Sequence, residues 1–186
     1  GSEMCIRDRY NILNDAIPGI EKSHAIENIR LAAEKLRGKD VKPDEFYGMV
    51  FQDSDVAKWI EAAAYALAAG EDPELEKAVD ETIQLYGASQ HEDGYVDSYF
   101  TVKCPDKMWT NICDAHELYC AGHMMEAAVA YYEVTGKREL LDIMSKSADC
   151  IYEQFMKKNT RAYPGHPEVE LALMRLWRAT GNEKYK

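Results

Sequence analysis

Apolar residues recur at helical spacing along most of the chain. From His24 to Leu36 the pattern predicts an amphipathic helix stopped by Gly38. Asp53, Ser54 and Asp55 offer N-cap side chains to an alanine-rich helix from Val56 to Ala69, which ends at Gly70. A further helix starts at Asp72 or Pro73 and runs through Leu75, Val79, Ile83 and Leu85 to about Ser89. These two form a hairpin with a tight turn. From His116 the chain reads as one uninterrupted helix to Gly136, since it is rich in Ala, Leu, Met and Glu and holds no proline. Gly1 to Arg9 shows no usable periodicity and reads as a tag scar or foreign start, with an irregular lead-in to residue 22.

The hairpin plan repeats. Around Gly70, Gly136 and Gly181 an apolar helix runs into a small residue, a glycine, a few polar residues and a new helix. Long connections separate the tight turns, from Gln90 to about Ala115 and from Lys157 to Pro167, and strand signals are too weak to build a sheet. The fold class is therefore all-α, made of antiparallel helical hairpins. In such a stack the tight turns lie at one end and the long connections at the other. Asp53 and Asp55, the Gln90–Phe100 loop, His116 and the Arg161–Glu168 loop should then share a rim, with His123 two turns deeper. A small-molecule site belongs at such a rim. The hairpins amount to only part of a closed ring, which reads as an N-terminal fragment with residues 23–186 as a partial toroid domain.

Composition narrows the partners. A net charge of −11 without a basic cluster disfavours nucleic acid and anionic membrane surfaces, and favours a neutral or cationic ligand. No apolar run is long enough to span a membrane. Five cysteines form an odd set without CxxC spacing, which fits a reducing, cytoplasmic compartment better than a disulfide framework. Uncovered helix faces of a partial ring should favour self-association.

The candidate chemistry sits on the long helix. His116, Cys120, His123 and Ala127 fall on one helical stripe. A zinc site on that stripe lacks a nameable fourth ligand, and Cys120 between small neighbours reads as packing. His166 lies in a rigid Gly-His-Pro loop and is a site candidate. Asp53 and Asp55 are capping residues first and site candidates second. Trp59, Tyr131, Tyr132 and Trp177 read as core, whereas Tyr95, Tyr99 and Trp109 in the long connection are candidates for stacking on a ligand ring. The pairs Glu168 with Glu170 and Asp93 with Asp97 could suggest a two-carboxylate glycosidase, but spacing alone assigns them no catalytic role.

Four separated stretches together resemble the N-terminal part of glycoside hydrolase family 127, the β-L-arabinofuranosidase group. They are Asp53–Ala62, Asp93-Gly94-Tyr95, His116–His123 and Tyr163–Leu173. The resemblance runs from roughly Ser23 to Lys186. It implies the N-terminal portion of an (α/α)6 toroid and retaining hydrolysis of terminal β-L-arabinofuranosides. In the family a zinc-bound cysteine thiolate is the nucleophile and a glutamate the acid/base. Those residues lie C-terminal to the part represented here, so the resemblance implies no catalytic residue, no metal ligand and no cofactor in this chain, with zinc expected in the full-length enzyme. It carries over His123 and His166 as sugar-binding groups, with His116, Asp53 and Asp55 as further candidates. The alternatives are a noncatalytic helical-hairpin binding scaffold and another toroidal carbohydrate enzyme, such as an epimerase or an unsaturated-glycuronide hydrolase.

Overall fold

The computed structural model describes residues 19, 22–158 and 160–186. The reading of Gly1 to Arg9 as a foreign start lies outside them. Among the described residues the regular elements are all helical: α1 (Ala25–Leu36), α2 (Asp53–Ala68), α3 (Pro73–Ala88), α4 (Ser98–Lys103), α5 (Glu117–Thr135), α6 (Glu139–Tyr152), continued by a π-helical turn (Glu153–Lys157), and α7 (Glu168–Thr180), with short 3-10 turns between some of them.

Local chemistry sets the boundaries. Asp72 caps α3 by accepting from the Leu75 amide, with Pro73 in the first turn where its missing N–H costs nothing. Gly136 and Gly181 end α5 and α7 at φ 74° and 72°, a left-handed conformation that glycine adopts without a Cβ clash. Two boundaries depart from the pattern. Helix α2 begins at Asp53 rather than Val56, and its N-cap is Gln52 without a side-chain cap bond, so neither Asp53 nor Asp55 caps it. The Asp53 carboxylate is instead occupied by Ser98. The Gln90–Ala115 connection is not all loop, because Asp97 accepts from the Phe100 amide and nucleates α4.

The helices form two layers. Helices α2, α5 and α7 pack side by side in one, called the inner layer, and α1, α3 and α6 in the other. Cross-contacts give the directions. Ser54 and Lys58 meet the start of α5, and His123 and Glu126 of α5 meet Glu168 and Arg175 in the same order along α7, so α2, α5 and α7 run parallel. Tyr131 reaches Asp80 while Tyr86 lies near Cys120, so α3 runs antiparallel to α5.

Helix α5 is buried on nearly every side because α2, α6 and α7 all pack on it. Its Met124, Met125, Ala127, Ala128 and Tyr131 join Val56, Ile60, Ala63, Leu75, Ile83, Leu141 and Met144 in one continuous core. Each large side chain so buried contributes about 1.5–3 kcal/mol. Small residues let the inner helices approach closely. A Cβ on Gly122 would stand 2.8 Å from Glu168 Cγ and 3.0 Å from the Val169 amide. The face of the inner layer turned away from the core stays open, with Tyr65, Leu171 and Met174 exposed on it.

Candidate functional site

The N-terminal ends of α2, α5 and α7 carry the candidate residues. His116 is the N-cap of α5 at φ 62°, a left-handed backbone uncommon for a residue with a Cβ. Its Nδ1 lies 2.6 Å from the Asp114 carbonyl oxygen. His166 enters from the loop before α7, which is drawn in where Gly165 meets the Cys113 backbone; a Cβ there would stand 2.3 Å from the Cys113 carbonyl oxygen.

Tyr119, one turn into α5, is the hub. Its ring centroid lies 4.5 Å from that of His123, 4.9 Å from His166 and 5.6 Å from His116. The rings of His116 and His166 are 5.2 Å apart, and Phe51 closes the far side of His116 at 5.4 Å. Lys58 of α2 donates to the Tyr119 hydroxyl at 2.9 Å. The rings of residues 116, 123 and 166 therefore gather at one rim, although their segments are far apart in sequence.

Deeper along the inner layer the side chains alternate in charge. Glu168 Oε1 lies 3.3 Å from His123 Nδ1. Arg175 donates to Glu126 and approaches Glu61 at 3.7 Å, and Tyr65 donates to Glu61 at 3.1 Å. Burial holds His123 below its usual range, with the Lys58 charge adding to the effect. Burial also raises Glu168, with the neighbouring Glu61 charge as the second cause. The site thus offers a neutral imidazole beside carboxylates, aromatic rings and one ammonium group, a set suited to a polyhydroxylated neutral ligand.

The other candidates are placed elsewhere. Asp53 is 4% exposed and its carboxylate accepts from the Ser98 amide and hydroxyl, so it lies under the rim instead of on it. Asp55 is exposed on α2. Cys120 does not share the open face with the two histidines; it is buried beside the Ser54 backbone, and desolvation raises its thiol well above the usual range. Tyr95, expected as a stacking platform, is 3% exposed and donates to Glu117 at 2.7 Å. Trp109 packs edge-on against Tyr95 and Phe155, and Tyr99 against Phe46 and Phe100. Neither ring reaches the histidine cluster. Trp59 and Tyr131 are core, while Tyr132 and Trp177 are half-buried.

The donors present do not fit zinc. His116 Nδ1 is engaged by a carbonyl and Cys120 faces the core, and among the described residues no three His, Cys, Asp or Glu side chains are grouped to hold a metal ion.

Several residues of the cluster escaped the sequence reading: Phe51, Lys58, Glu61, Tyr119, Glu126 and Arg175. One signal was available. Lys58 and Glu61 are the charged positions inside the otherwise apolar run from Val56 to Ala69, three apart on one face. Glu126 is the lone charge between Glu117 and Glu133 on α5.

The sequence matches the family described as "Beta-L-arabinofuranosidase, GH127 catalytic domain" over residues 6–186. It is 44% identical over 172 residues to the non-reducing end β-L-arabinofuranosidase of Bifidobacterium longum subsp. longum, covering 88% of this chain and 25% of that protein. The fold is similar to the crystal structure of a GH127 β-L-arabinofuranosidase from Geobacillus stearothermophilus T6, with TM-score 0.80 and 54% identity over 95% of this chain and 27% of the other. A second GH127 β-arabinofuranosidase structure gives TM-score 0.80 at 32% identity, with 96% of this chain and 30% of the other covered. The chain thus spans about a quarter of the curated relative, and its two helical layers form part of an (α/α)6 fold. With the family match extending over nearly its whole length, the chain belongs to glycoside hydrolase family 127.

Proposed function

We propose that this segment forms one wall of the sugar pocket of a retaining β-L-arabinofuranosidase, with His123 and His166 as the main hydroxyl-binding groups and His116 beside them. The observation that carries this reading is the convergence of three imidazoles around Tyr119 at the N-terminal ends of three parallel helices. Flanking carboxylates and an ammonium group supply polar partners for ring hydroxyls. Asp53 and Asp55 take no sugar-binding part in it. On this reading the cysteine nucleophile, the acid/base glutamate and the zinc are carried by residues outside this chain, which by itself holds no cofactor and does not turn over substrate.

The net charge of −11 supports a small carbohydrate partner over nucleic acid or an anionic membrane surface. Among the described residues no helix is long and apolar enough to cross a membrane, and Cys104, Cys113, Cys120 and Cys150 are free thiols, which supports a cytoplasmic setting. Tyr65, Leu171 and Met174 on the open inner face support self-association of the chain.

The test is a titration of the chain with L-arabinose, followed by the NMR signals of its histidine rings. Perturbation of His123 and His166, lost in the double variant H123A/H166A while the far-ultraviolet circular dichroism is unchanged, supports the reading. Absence of any perturbation overturns it, and so does hydrolysis of p-nitrophenyl β-L-arabinofuranoside by this chain alone.

A further inference from the structure

Arg175 stands where the three inner helices meet. From α7 its guanidinium donates to Glu126 Oε2 of α5 and lies 3.7 Å from Glu61 Oε1 of α2. Glu126 is 7% exposed, its Oε1 has no partner, and burial raises it; the Arg175 bond opposes that rise. Glu61 also accepts from the Tyr65 hydroxyl, but among the described residues Arg175 is the cation paired with it.

This clamp lies one to two turns beyond the histidine rim on the same helix faces. Glu61 follows Lys58 by three residues, Glu126 follows His123 by three, and Arg175 follows Glu168 by seven. Facing His123 are Lys58 and Glu61 from α2, Tyr119 from its own helix, and Glu168 and His166 from α7 and the loop before it. Burial and then the Lys58 charge hold His123 down, while the Glu61 charge works against them. The same Glu61 charge adds to burial in raising Glu168. Taking the guanidinium away leaves Glu61 with its Tyr65 donor and no counter-charge, so a proton is drawn toward His123 and Glu168.

We propose that Arg175 is a positioning residue of the sugar site: by balancing the Glu61 carboxylate it keeps a proton off the His123–Glu168 pair, so that His123 meets the ligand as a neutral ring. This rests on the sugar-pocket reading and deepens it. A neutral imidazole suits a neutral polyol, whereas an imidazolium would give its Nδ1 proton to Glu168 and leave a cationic donor that favours an anion.

The test follows the His123 ring of the full chain by NMR across pH without sugar, with its signals assigned by their loss in H123Q and helix content checked by circular dichroism. Arg175→Met should move the His123 midpoint up by about 0.5 pH or more. Arg175→Lys, which keeps the charge, and the double variant E61Q/R175M, which removes the charge to be balanced, should both return it toward the unaltered chain. An unmoved midpoint in R175M overturns the inference, and so does a double variant that stays at the R175M value, since damage to packing alone is not undone at Glu61. Where R175M does not fold, Glu61→Gln alone decides: a lower midpoint supports the inference and an unchanged one overturns it. At a pH between the two midpoints L-arabinose should perturb His123 less in R175M than in the unaltered chain, and equal perturbation overturns the inference while the pocket reading stands. L-arabinose that perturbs no histidine of the unaltered chain removes the pocket reading and the positioning role with it, even where the midpoints move as stated.

Discussion

Asp53 and Ser98, 45 residues apart, are joined twice: the Ser98 amide donates to one carboxylate oxygen of Asp53 at 2.7 Å, and the Ser98 hydroxyl donates to the other. The pair ties the first turn of α2 to the first turn of α4 and is buried at both ends. Asp97, which caps α4, and Glu117, at the first turn of α5, lie close enough for their charges to be felt in the same region. Three helix N-termini thus meet over buried carboxyl groups, and helix dipoles favour negative charge there. This knot is the floor of the rim. Glu117 also accepts from Tyr95 and from the Trp109 amide, which anchors the connecting loop.

Removing the Ser98 hydroxyl should be costly for its size. Ser98→Ala leaves one oxygen of a buried carboxyl without its donor, and the expected loss is about 1–3 kcal/mol. Urea denaturation of the chain followed by circular dichroism checks it, and a loss below about 0.5 kcal/mol would contradict the arrangement.

The same knot predicts a pH dependence. Burial raises Asp53, and burial together with the Asp53 charge raises Asp97 well above the usual carboxylate range, while one Asp97 oxygen has no partner. The ionisable groups around them, Glu117 and Cys120 from α5, Tyr86 from α3, Tyr99 from α4, and Tyr95 and Cys104 beside α4, are acids that burial makes harder to ionise. A carboxyl raised in the folded state stabilises the fold fully below its unfolded value of about 4, and that contribution is lost as pH rises through the folded value. The urea midpoint should therefore fall as pH rises above about 4. Asp97→Asn keeps the acceptor for the Phe100 amide and should flatten the fall; equal slopes in both proteins would refute the assignment.

Gly122→Ala tests the close approach of α5 and α7. The added methyl meets Glu168 Cγ at 2.8 Å and the Val169 amide at 3.0 Å, so the helices must part beside His123. Overpacking of this kind costs about 1–3 kcal/mol. The His123 ring signals should shift as Glu168 moves, whereas an unshifted, fully stable variant would show that the contact is slack.

Thiol reactivity should divide the cysteines. Cys113 is exposed, while Cys120 is buried with its thiol raised well above the usual range and Cys150 is pushed up to about 11 by burial. The thiolate is the reactive form. Alkylation of the native chain at neutral pH, read by mass spectrometry of peptides, should mark Cys113 long before Cys120 or Cys150. Labelling of Cys120 at the rate of Cys113 would mean that the inner layer opens readily.

The helical plan was legible along the chain because it rests on local chemistry: apolar spacing, Asp72 with Pro73, and glycines at 70, 136 and 181. Those signals also placed the tight turns at one end and the histidines at the other. What the sequence could not decide was where a side chain points once helices pack. Cys120 shares a stripe with His116 and His123, yet a helix wrapped on almost every side has no single inward face, and Cys120 turned to the core. Asp53 looked like a cap until a residue 45 positions away claimed its carboxylate, and Tyr95 looked like a platform until Glu117 did the same for its hydroxyl. Tyr119, Lys58 and Arg175 acquire meaning only through partners on other helices. Local propensities wrote the rods and their ends; the site depends on contacts between distant segments, and only packing in three dimensions brings those together.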